Sequence, residues 1–286
     1  MVYFKSHLGF GNQLFNYVFA RCVAEHFGYK LQHHSHDGCE EIRSGNQFFL
    51  PKYFDLDFNA NGKVIEGEPV SYTTRQMLKM SDIDGSRPIL LEGWYERYDQ
   101  IKDFKSLIAT QWLRFKEPNT YQFAPSELAL HVRLGEKTEL PQRTLTQAYY
   151  ADAIHAIEHS RLYWFTDSPD SAFVRKLHEK FGGTILYNSF IEDFKMMMSF
   201  KKLVTSSSTY SFWAAWLGNA DEIVAPKRGQ TCYLGRWTKD VYSDCDYWPA
   251  ESRYIYLAKP AWMELCARTL LFAYRKMMRL RNFKGG

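Results

Sequence analysis

Cysteine is scarce in this sequence, and no two cysteines have the close spacing of a metal-binding pair. Their number is odd: Cys22, Cys39, Cys232, Cys245 and Cys266. Both features favour a reducing compartment over a disulfide-stabilised secreted protein. A signal sequence is also missing, because the chain reaches a glycine-rich turn by Gly9, and no apolar run is long enough to cross a membrane. These absences predict a cytoplasmic protein.

A large excess of one charge is absent too. The 36 lysine and arginine residues oppose 32 acidic residues, so the formal net charge is only +4 over 286 residues. Such a small excess gives no support to a nucleic-acid partner. Hydrophobic residues, in contrast, make up 45% of the chain and aromatic residues 17%. Because repeats and low-complexity segments are lacking, this content predicts one large or two ordinary globular domains with a substantial core.

The beginning of the chain has the pattern of a strand, a glycine-containing loop, a helix and a second strand. Apolar residues recur at helical spacing over 14–23, and Gly28 is a natural helix stop. This pattern predicts a βαβ unit over residues 1–33. The following stretch is less regular: it predicts loops with short strands over 34–88, a strand in 89–94 and a helix over 99–112.

The second half of the chain alternates strands and helices more regularly. Strands are predicted at 128–134, 161–166, 184–188, 203–205 and 222–225. Such alternation implies right-handed crossovers and a doubly wound parallel sheet. The turn-rich residues 116–125 predict a linker between an N-terminal α/β lobe (1–124) and a C-terminal Rossmann-like lobe (125–258). The fold prediction is therefore α/β with two lobes and a ligand cleft between them.

The last segment, 259–286, has the pattern of a basic amphipathic helix. Over 260–284 a single acid, Glu264, is outnumbered by Arg268, Arg275, Lys276, Arg279, Arg281 and Lys284. A helix of this kind can lie on an anionic membrane face. A terminal helix that packs back across both lobes, with its charges solvated, explains the pattern equally well. The final dozen residues favour peripheral membrane contact.

Four polar clusters lie at predicted strand ends or helix starts, where α/β proteins build their sites. They are GFGNQ (9–13), HVR (131–133), TDS (166–168), and Asp193 together with SSSTYS (206–211). In the last cluster a strand delivers hydroxyl residues to a helix N-terminus, which is a ready anion site because unpaired amides meet the positive end of the helix dipole. Each cluster also has a plain structural explanation, namely a close helix–strand contact, an ion pair or a helix cap.

In order and spacing, these motifs resemble those of the α-1,2-fucosyltransferases of glycosyltransferase family 11. LGFGNQLFNYVFA (8–20) is similar to the family's GGLGNQ and the aromatic-rich helix after it, and HVRLGE (131–136) looks like its HVRRGD. FTDS (165–168) resembles an FSDD-type strand end, and GWYERYDQIKD (93–103) resembles a GYWQ-type stretch. The block 193–217 matches DxxLMSxCKxxIxxNSSFSWWxAWL closely. The resemblance covers residues 1 to about 226.

The resemblance implies a GT-B-like architecture and a GDP-fucose donor, with no metal or other cofactor. It implies these donor-binding residues: Asn12, His131, Arg133, Asp167, Asp193, Ser207, Ser208 and Thr209. His131 and Asp193 would hold the guanine, and Arg133 would bind the diphosphate together with the three hydroxyl residues. Asp167 would support the nucleotide side, and Asn12 would reach the sugar or diphosphate from the other lobe.

The implied reaction is transfer of fucose, with inversion, to the 2-hydroxyl of a galactose on a glycan acceptor. Direct displacement needs a base for the acceptor hydroxyl and positive charge at the departing diphosphate. Arg133 would supply the charge, and Glu136 is the candidate base because it takes the position of the motif's carboxylate. A structural ion pair is the other interpretation of Glu136. Trp94, Tyr95 and Glu96 would face the acceptor, with Glu96 as a second candidate base.

Three residues depart from the family motifs: Leu134 replaces arginine, Glu136 replaces aspartate and Ser207 replaces asparagine. Leu134 and Ser207 keep open a rival hypothesis, a related transferase with a different nucleotide sugar. A rival from another class is a non-catalytic glycan- or nucleotide-binding module. The basic terminal helix fits a lipid-linked acceptor. A zinc site is disfavoured because its candidate ligands lack a second ligand pair: His33, His34, His36, Asp37 and Cys39.

Overall fold

The computed structural model describes residues 1–6, 9–34, 48–73, 78–93, 95–135, 145–227 and 248–257. Within them the chain forms two parallel sheets, one from each half, flanked by helices. The predicted helix over 259–286 lies outside the described residues, as do Trp94 and Glu136, so these remain predictions. No helix among the described residues is both long enough and apolar enough to cross a membrane.

Short strands build the N-terminal half: β1 (Val2–Phe4), β2 (Leu31–His33), β3 (Phe54–Leu56), β4 (Val70–Tyr72), β5 (Ile89–Leu91) and β6 (Leu113–Phe115). The strands β2-β1-β5-β4, in that order, make a parallel sheet, and β3 pairs antiparallel with β6. The predicted βαβ unit is confirmed, because β1 and β2 pair in parallel with Val2 opposite Leu31.

The crossover helix of this unit is α1 (Phe10–Phe27). It begins earlier than the apolar spacing predicts, so GFGN forms its first turn and not a loop. Its end is as predicted, since Gly28 adopts a left-handed φ of 67° and donates its N–H to the Glu25 carbonyl at 3.2 Å. Nearly every face of α1 is buried, because the helix packs on the N-terminal sheet and also against the C-terminal half.

The segment predicted as one helix over 99–112 is broken. It forms α2 (Tyr98–Ile101), a 3₁₀ turn, α3 (Lys105–Leu107) and a π-helical turn (Ile108–Trp112). The Trp112 ring is fully buried and lies 4.5 Å from the Arg21 guanidinium. The Trp112 carbonyl accepts from the Tyr17 hydroxyl at 3.0 Å. These contacts to α1 therefore override the regular helical period.

The C-terminal half alternates strands and helices: β7 (Glu127–Val132), α4 (Gln147–His155), β8 (Arg161–Thr166), α5 (Ala172–Phe181), β9 (Thr184–Ile185), α6 (Phe190–Ser199), β10 (Lys202–Val204), α7 (Thr209–Leu217), β11 (Glu222–Pro226) and β12 (Tyr254–Leu257). The strands pair in parallel in the order β12-β11-β10-β7-β8-β9. The chain steps from β7 through β8 to β9 and then crosses back to β10, so the strand order reverses between β7 and β10. The predicted doubly wound α/β fold is confirmed, whereas β12 was not predicted.

A continuous apolar core joins the two halves through α1 and α7. The Phe15 ring of α1 stacks on the Phe212 ring of α7 with 5.0 Å between centroids. The Trp213 indole of α7 donates to the Gly11 carbonyl at 3.0 Å. The start of α1 therefore lies against α7, while the lobe limits 1–124 and 125–258 stay a prediction.

A half-buried carboxylate, Glu251, ties the segment before β12 to both halves. It accepts from the Trp216 indole at 2.8 Å and from Arg253 Nε at 2.7 Å, and Lys105 of α3 approaches it to 3.4 Å. Burial alone would raise the pKa of Glu251, but these donors and cations outweigh burial and hold the pKa below its ordinary value. Residues 248–257 are thereby fixed beside α7.

Candidate functional site

The reversal of strand order between β7 and β10 marks where an open α/β sheet binds its ligand, just outside the carboxyl ends of the strands. Here His131 of β7 and Ser206, which follows β10, share a hydrogen bond of 2.8 Å between Nδ1 and Oγ. Both side chains are buried. The predicted clusters at 131–133 and 206–211 therefore meet at this reversal of strand order, which is the topological switch point of the sheet.

The helix α7 begins in the hydroxyl-rich turn that follows β10. Ser208 caps it, because its Oγ accepts from the Tyr210 N–H at 3.3 Å. The Thr209 hydroxyl donates to Asn12 Oδ1 at 2.6 Å, which joins the starts of α7 and α1. Helix capping is thus the correct explanation for one role of Ser208. The positive end of the α7 dipole is in addition a favourable place for an anion.

Gly11 allows the two helix starts to come this close. A Cβ atom at this position would lie 2.5 Å from the Tyr210 nitrogen and 2.6 Å from Thr209 Oγ1. The plain structural explanation of the glycine-rich motif was a close helix–strand contact; the close approach at Gly11 is to the start of α7. The site therefore includes groups from both halves of the chain.

Arg133 follows β7 and is held by Asp167, which follows β8. Arg133 Nη1 forms an ion pair with Asp167 Oδ2, and Asp167 Oδ1 accepts from the Leu134 N–H at 2.9 Å. Asp167 does not cap the following helix, since Ser171 caps α5 by accepting from the Val174 N–H at 3.2 Å. The Arg133 side chain is 36% exposed, so Asp167 orients a guanidinium that a ligand can reach.

Asp193 lies in the first turn of α6. Burial raises the pKa of its carboxyl to about 6, although an Asn188 amide that donates at 3.1 Å lowers it. Tyr210 connects Asp193 to the switch point, because its ring lies 5.4 Å from the His131 ring. The pKa of Tyr210 is raised by burial and by the charge of Asp193, while Arg133 lowers it.

These contacts bring His131, Asp193 and Tyr210 together beside Arg133. Tyr210 was not among the predicted site residues. The signal that could have identified it is its place inside the hydroxyl-rich cluster 206–211, in the first turn of α7.

The prediction that Tyr95 faces the acceptor is corrected by its burial. Its side chain is 2% exposed, its ring stacks on Phe19 with 4.5 Å between centroids, and its hydroxyl donates to the Tyr72 carbonyl at 2.8 Å. Glu96 is likewise only 5% exposed. The loop after β5 folds back onto α1, so these side chains pack inside the N-terminal half and are not presented to a glycan.

His33, a candidate zinc ligand in the sequence, has another role in the structure. Its Nε2 pairs with Ser6 Oγ at 3.1 Å, and its ring stacks on Phe48 with 4.3 Å between centroids. Across the described ranges, no three His, Cys, Asp or Glu side chains are grouped to hold a metal ion. Three of the other candidate zinc ligands, His36, Asp37 and Cys39, lie outside those ranges.

Comparison with known proteins gives a family match and a shared fold. Residues 73–231 match the sequence model of glycosyl transferase family 11. The selenomethionine form of the fucosyltransferase NodZ from Bradyrhizobium is similar in structure, with a TM-score of 0.51 and 14% identity over 79% of this chain and 94% of that chain. NodZ alpha-1,6-fucosyltransferase co-crystallized with GDP has a TM-score of 0.50, with 14% identity over the same shares. No curated protein matches in sequence.

Proposed function

Because this chain belongs to glycosyl transferase family 11, we propose that it is an inverting fucosyltransferase that moves L-fucose from GDP-fucose to the 2-hydroxyl of a galactose on a glycan. The observation that carries the proposal is the meeting of His131, Arg133 and the start of α7 at the switch point of the C-terminal sheet. The fold shared with NodZ, itself a fucosyltransferase, supports the same class of reaction. The α-1,2 linkage rests on the sequence motifs, since NodZ carries the name of an α-1,6 enzyme.

The departing GDP needs positive charge at its diphosphate. The Arg133 guanidinium offers two parallel N–H donors, and the α7 N-terminus adds a dipole, with Ser207, Ser208 and Thr209 as hydroxyl donors. Groups that are already fixed stabilise charge as it develops without having to reorganise. In this proposal Arg133 and the helix start take the role that a metal ion has in other transferases, so no cofactor is required.

The guanine is assigned to the flank of the site that holds His131, Tyr210 and Asp193. Guanine presents two N–H donor groups on one edge, and a carboxylate accepts from both. The Tyr210 ring provides a flat apolar surface beside His131. Asp167 acts on this side through Arg133, which it orients.

The base that takes the proton of the acceptor hydroxyl is proposed to be Glu136. It follows Gly135, whose φ of 37° turns the chain sharply beside the Arg133–Asp167 pair. A carboxylate in this loop would follow directly after the residues that hold the diphosphate. Asn12 would contact the donor from the other lobe, next to Thr209.

A different nucleotide sugar is the rival donor, and Leu134 bears on it. The side chain of Leu134 is 3% exposed and belongs to the apolar cluster of the C-terminal half. A second arginine at this position would have to bury its charge or displace that cluster. Donor charge is therefore proposed to come from Arg133 and not from residue 134.

The acceptor is proposed to be a galactose-containing, lipid-linked glycan at the cytoplasmic face of a membrane. The basic segment 260–284 supports this through its sequence, because a cationic amphipathic helix is attracted to anionic lipids. No nucleic-acid partner is proposed.

A donor and acceptor panel tests the proposed function. GDP release is measured with GDP-fucose, GDP-mannose and UDP-galactose, each with and without galactosides. Release only with GDP-fucose plus a galactoside supports the proposal. Release with another donor identifies the rival transferase. If no GDP is released with any donor and acceptor, and calorimetry detects no binding of GDP-fucose, the enzyme hypothesis is wrong.

Affinity for GDP is expected to fall as pH drops below about 6, because burial raises the pKa of Asp193 to about 6 and protonation removes the acceptor of guanine. Asp193→Asn should weaken GDP binding by about tenfold at pH 7.5 and abolish the part of the pH dependence that centres near 6. Calorimetric titrations of both proteins from pH 5 to 8 measure this. If GDP affinity depends on pH in the same way for both proteins, Asp193 does not contact the guanine.

The same substitution should raise stability at neutral pH. The folded pKa of about 6 exceeds the ordinary 3.8, so the folded state holds this proton more tightly than the unfolded state and loses stability as pH rises from about 4 to 6. At pH 7.5 the Asp193→Asn protein should therefore have a higher melting temperature than the natural protein. Below pH 4 the two melting temperatures should be equal.

A further inference from the structure

The Tyr210 hydroxyl ties the first turn of α7 to the first turn of α6. Tyr210 is the second residue of α7, and its hydroxyl donates a hydrogen bond to the main-chain carbonyl of Phe190. Phe190 is the first residue of α6. The starts of the two helices on the guanine flank of the site are therefore joined by a single side-chain hydroxyl.

The surroundings of Tyr210 keep this hydroxyl protonated and in place. Burial raises the pKa of the phenol well above its ordinary value, and the charge of Asp193 raises it further. The hydroxyl is therefore a donor throughout the neutral pH range. Three elements enclose the ring, with centroid distances of 5.4 Å to His131 of β7, 5.5 Å to Phe194 of α6 and 5.9 Å to Phe10 of α1.

The turn of α6 that Tyr210 holds also carries Asp193. Phe190 and Asp193 are three residues apart, so they are neighbours on one side of the helix. The Asn188 amide donates to Asp193 Oδ1 at 3.1 Å and orients the carboxylate from the other end. Each carboxylate oxygen can accept two hydrogen bonds, so this contact leaves acceptor capacity for a ligand. The place of that acceptor beside the switch point depends on how α6 is held against α7.

The formation of α6 does not depend on Tyr210. Ser189 Oγ accepts from the Glu192 N–H at 3.4 Å, and Glu192 Oε2 accepts from the Ser189 N–H at 3.1 Å. This capping box stabilises the helix start locally. The Phe190 ring also packs on the N-terminal half, 5.3 Å from the Tyr53 ring. Loss of the Tyr210 hydroxyl should therefore shift the first turn of α6 and not unfold it.

The edge of a purine base provides a measure of such a shift. Guanine carries an N1–H and a 2-amino group side by side, and a carboxylate that accepts from both must lie opposite both groups. Hypoxanthine has the N1–H but lacks the 2-amino group. A carboxylate that has moved along the edge keeps one bond and loses the other. The preference for guanine over hypoxanthine therefore reports where the carboxylate lies.

We propose that Tyr210 is a positioning residue for base specificity. Its hydroxyl, through the Phe190 carbonyl, holds Asp193 where the carboxylate accepts from both the N1–H and the 2-amino group of guanine. This inference rests on the proposed function, which assigns the guanine to Asp193. It gives the hydroxyl of Tyr210 a role that is separate from the role of its ring beside His131.

Tyr210→Phe tests the inference, because it removes the hydroxyl and keeps the ring. Affinities for GDP and for inosine diphosphate are measured by calorimetry at pH 7.5. The natural protein should prefer GDP by about tenfold, the effect of one hydrogen bond to a charged group. In Tyr210→Phe the preference should fall to about threefold or less, chiefly through weaker GDP binding. Tyr17→Phe is the matched control and should keep the full preference, since the Tyr17 hydroxyl donates to the carbonyls of Asp57 and Trp112, at 2.8 Å and 3.0 Å, in the N-terminal half.

A double variant separates positioning from a direct contact. If the hydroxyl acts through Asp193, adding Tyr210→Phe to Asp193→Asn should leave the ratio of the two affinities as it is in Asp193→Asn alone. A further change of that ratio would show that the hydroxyl acts on the base without Asp193 and would overturn the inference.

Three other results would overturn it. One is a natural protein that binds both nucleotides equally, another is a Tyr210→Phe protein with the full preference for GDP, and the third is an equal loss of both affinities together with a lower melting temperature, which would make the hydroxyl only structural. In these cases GDP binding by the natural protein remains. If the natural protein binds neither nucleotide, the proposed function itself fails and the inference fails with it.

Discussion

Arg133→Ala is expected to lower kcat for fucosyl transfer by about 10³-fold, since it removes a fixed cation from the developing diphosphate charge. The guanidinium is reachable at the end of β7, and Asp167 already orients it. GDP binding should weaken as well, because the product carries the same charge. Initial rates of GDP release over a range of GDP-fucose concentrations separate the effects on kcat and KM.

Two variants control for charge and folding. Arg133→Lys keeps the positive charge but loses the planar guanidinium that can donate two parallel hydrogen bonds. Its activity should therefore lie between those of the natural protein and the alanine variant. Arg161→Ala removes an arginine that is 74% exposed on β8 and 4.0 Å from Glu127, and it should leave activity unchanged because surface ion pairs contribute little. An Arg133→Ala protein that melts normally and retains activity within threefold would remove Arg133 from the mechanism.

Gly11→Ala is expected to destabilise the protein by about 3 kcal/mol, the cost of overpacking a close contact. The added Cβ would lie 2.5 Å from the Tyr210 nitrogen, and a backbone atom in a helix start cannot move aside without moving α7. Displacement of α7 would also break the hydrogen bond of 2.6 Å between Thr209 and Asn12. In thermal unfolding the melting temperature should fall by roughly 5–10 °C, and GDP affinity should fall with it.

Gly9→Ala is the matched control. A Cβ at Gly9 meets no atom within 4 Å, and its φ of −74° suits any residue. Its cost should be at most about 1 kcal/mol, from the poorer helix cap. Since alanine is a better helix former than glycine by about 1 kcal/mol, propensity cannot explain a loss at Gly11. Equal melting temperatures for the two variants would contradict a tight contact between α1 and α7.

Much of the fold could be predicted from local patterns. The strand at 161–166 has the bounds that the sequence indicates, and Gly28 ends α1 through its left-handed backbone. The break within 99–112 could not be predicted, because it depends on Trp112 packing against Arg21 of another helix. The strand β12 was missed for a similar reason, since its position is fixed by Glu251 and its partners.

The positions of the candidate site residues were predictable where they lie at the ends of parallel strands. His131 and Arg133 follow from the topology, because the carboxyl ends of neighbouring strands share one edge of the sheet. The prediction for Tyr95 was wrong. A loop that follows a strand has no regular pattern of apolar residues, so its sequence does not indicate which side chains are buried and which are exposed.

A crystal structure of the protein with GDP tests the central claim most directly. The account predicts diphosphate oxygens within hydrogen-bond distance of the Arg133 guanidinium and the start of α7, with the guanine edge on Asp193. A nucleotide bound at the N-terminal sheet, or a diphosphate that contacts neither Arg133 nor α7, would contradict it.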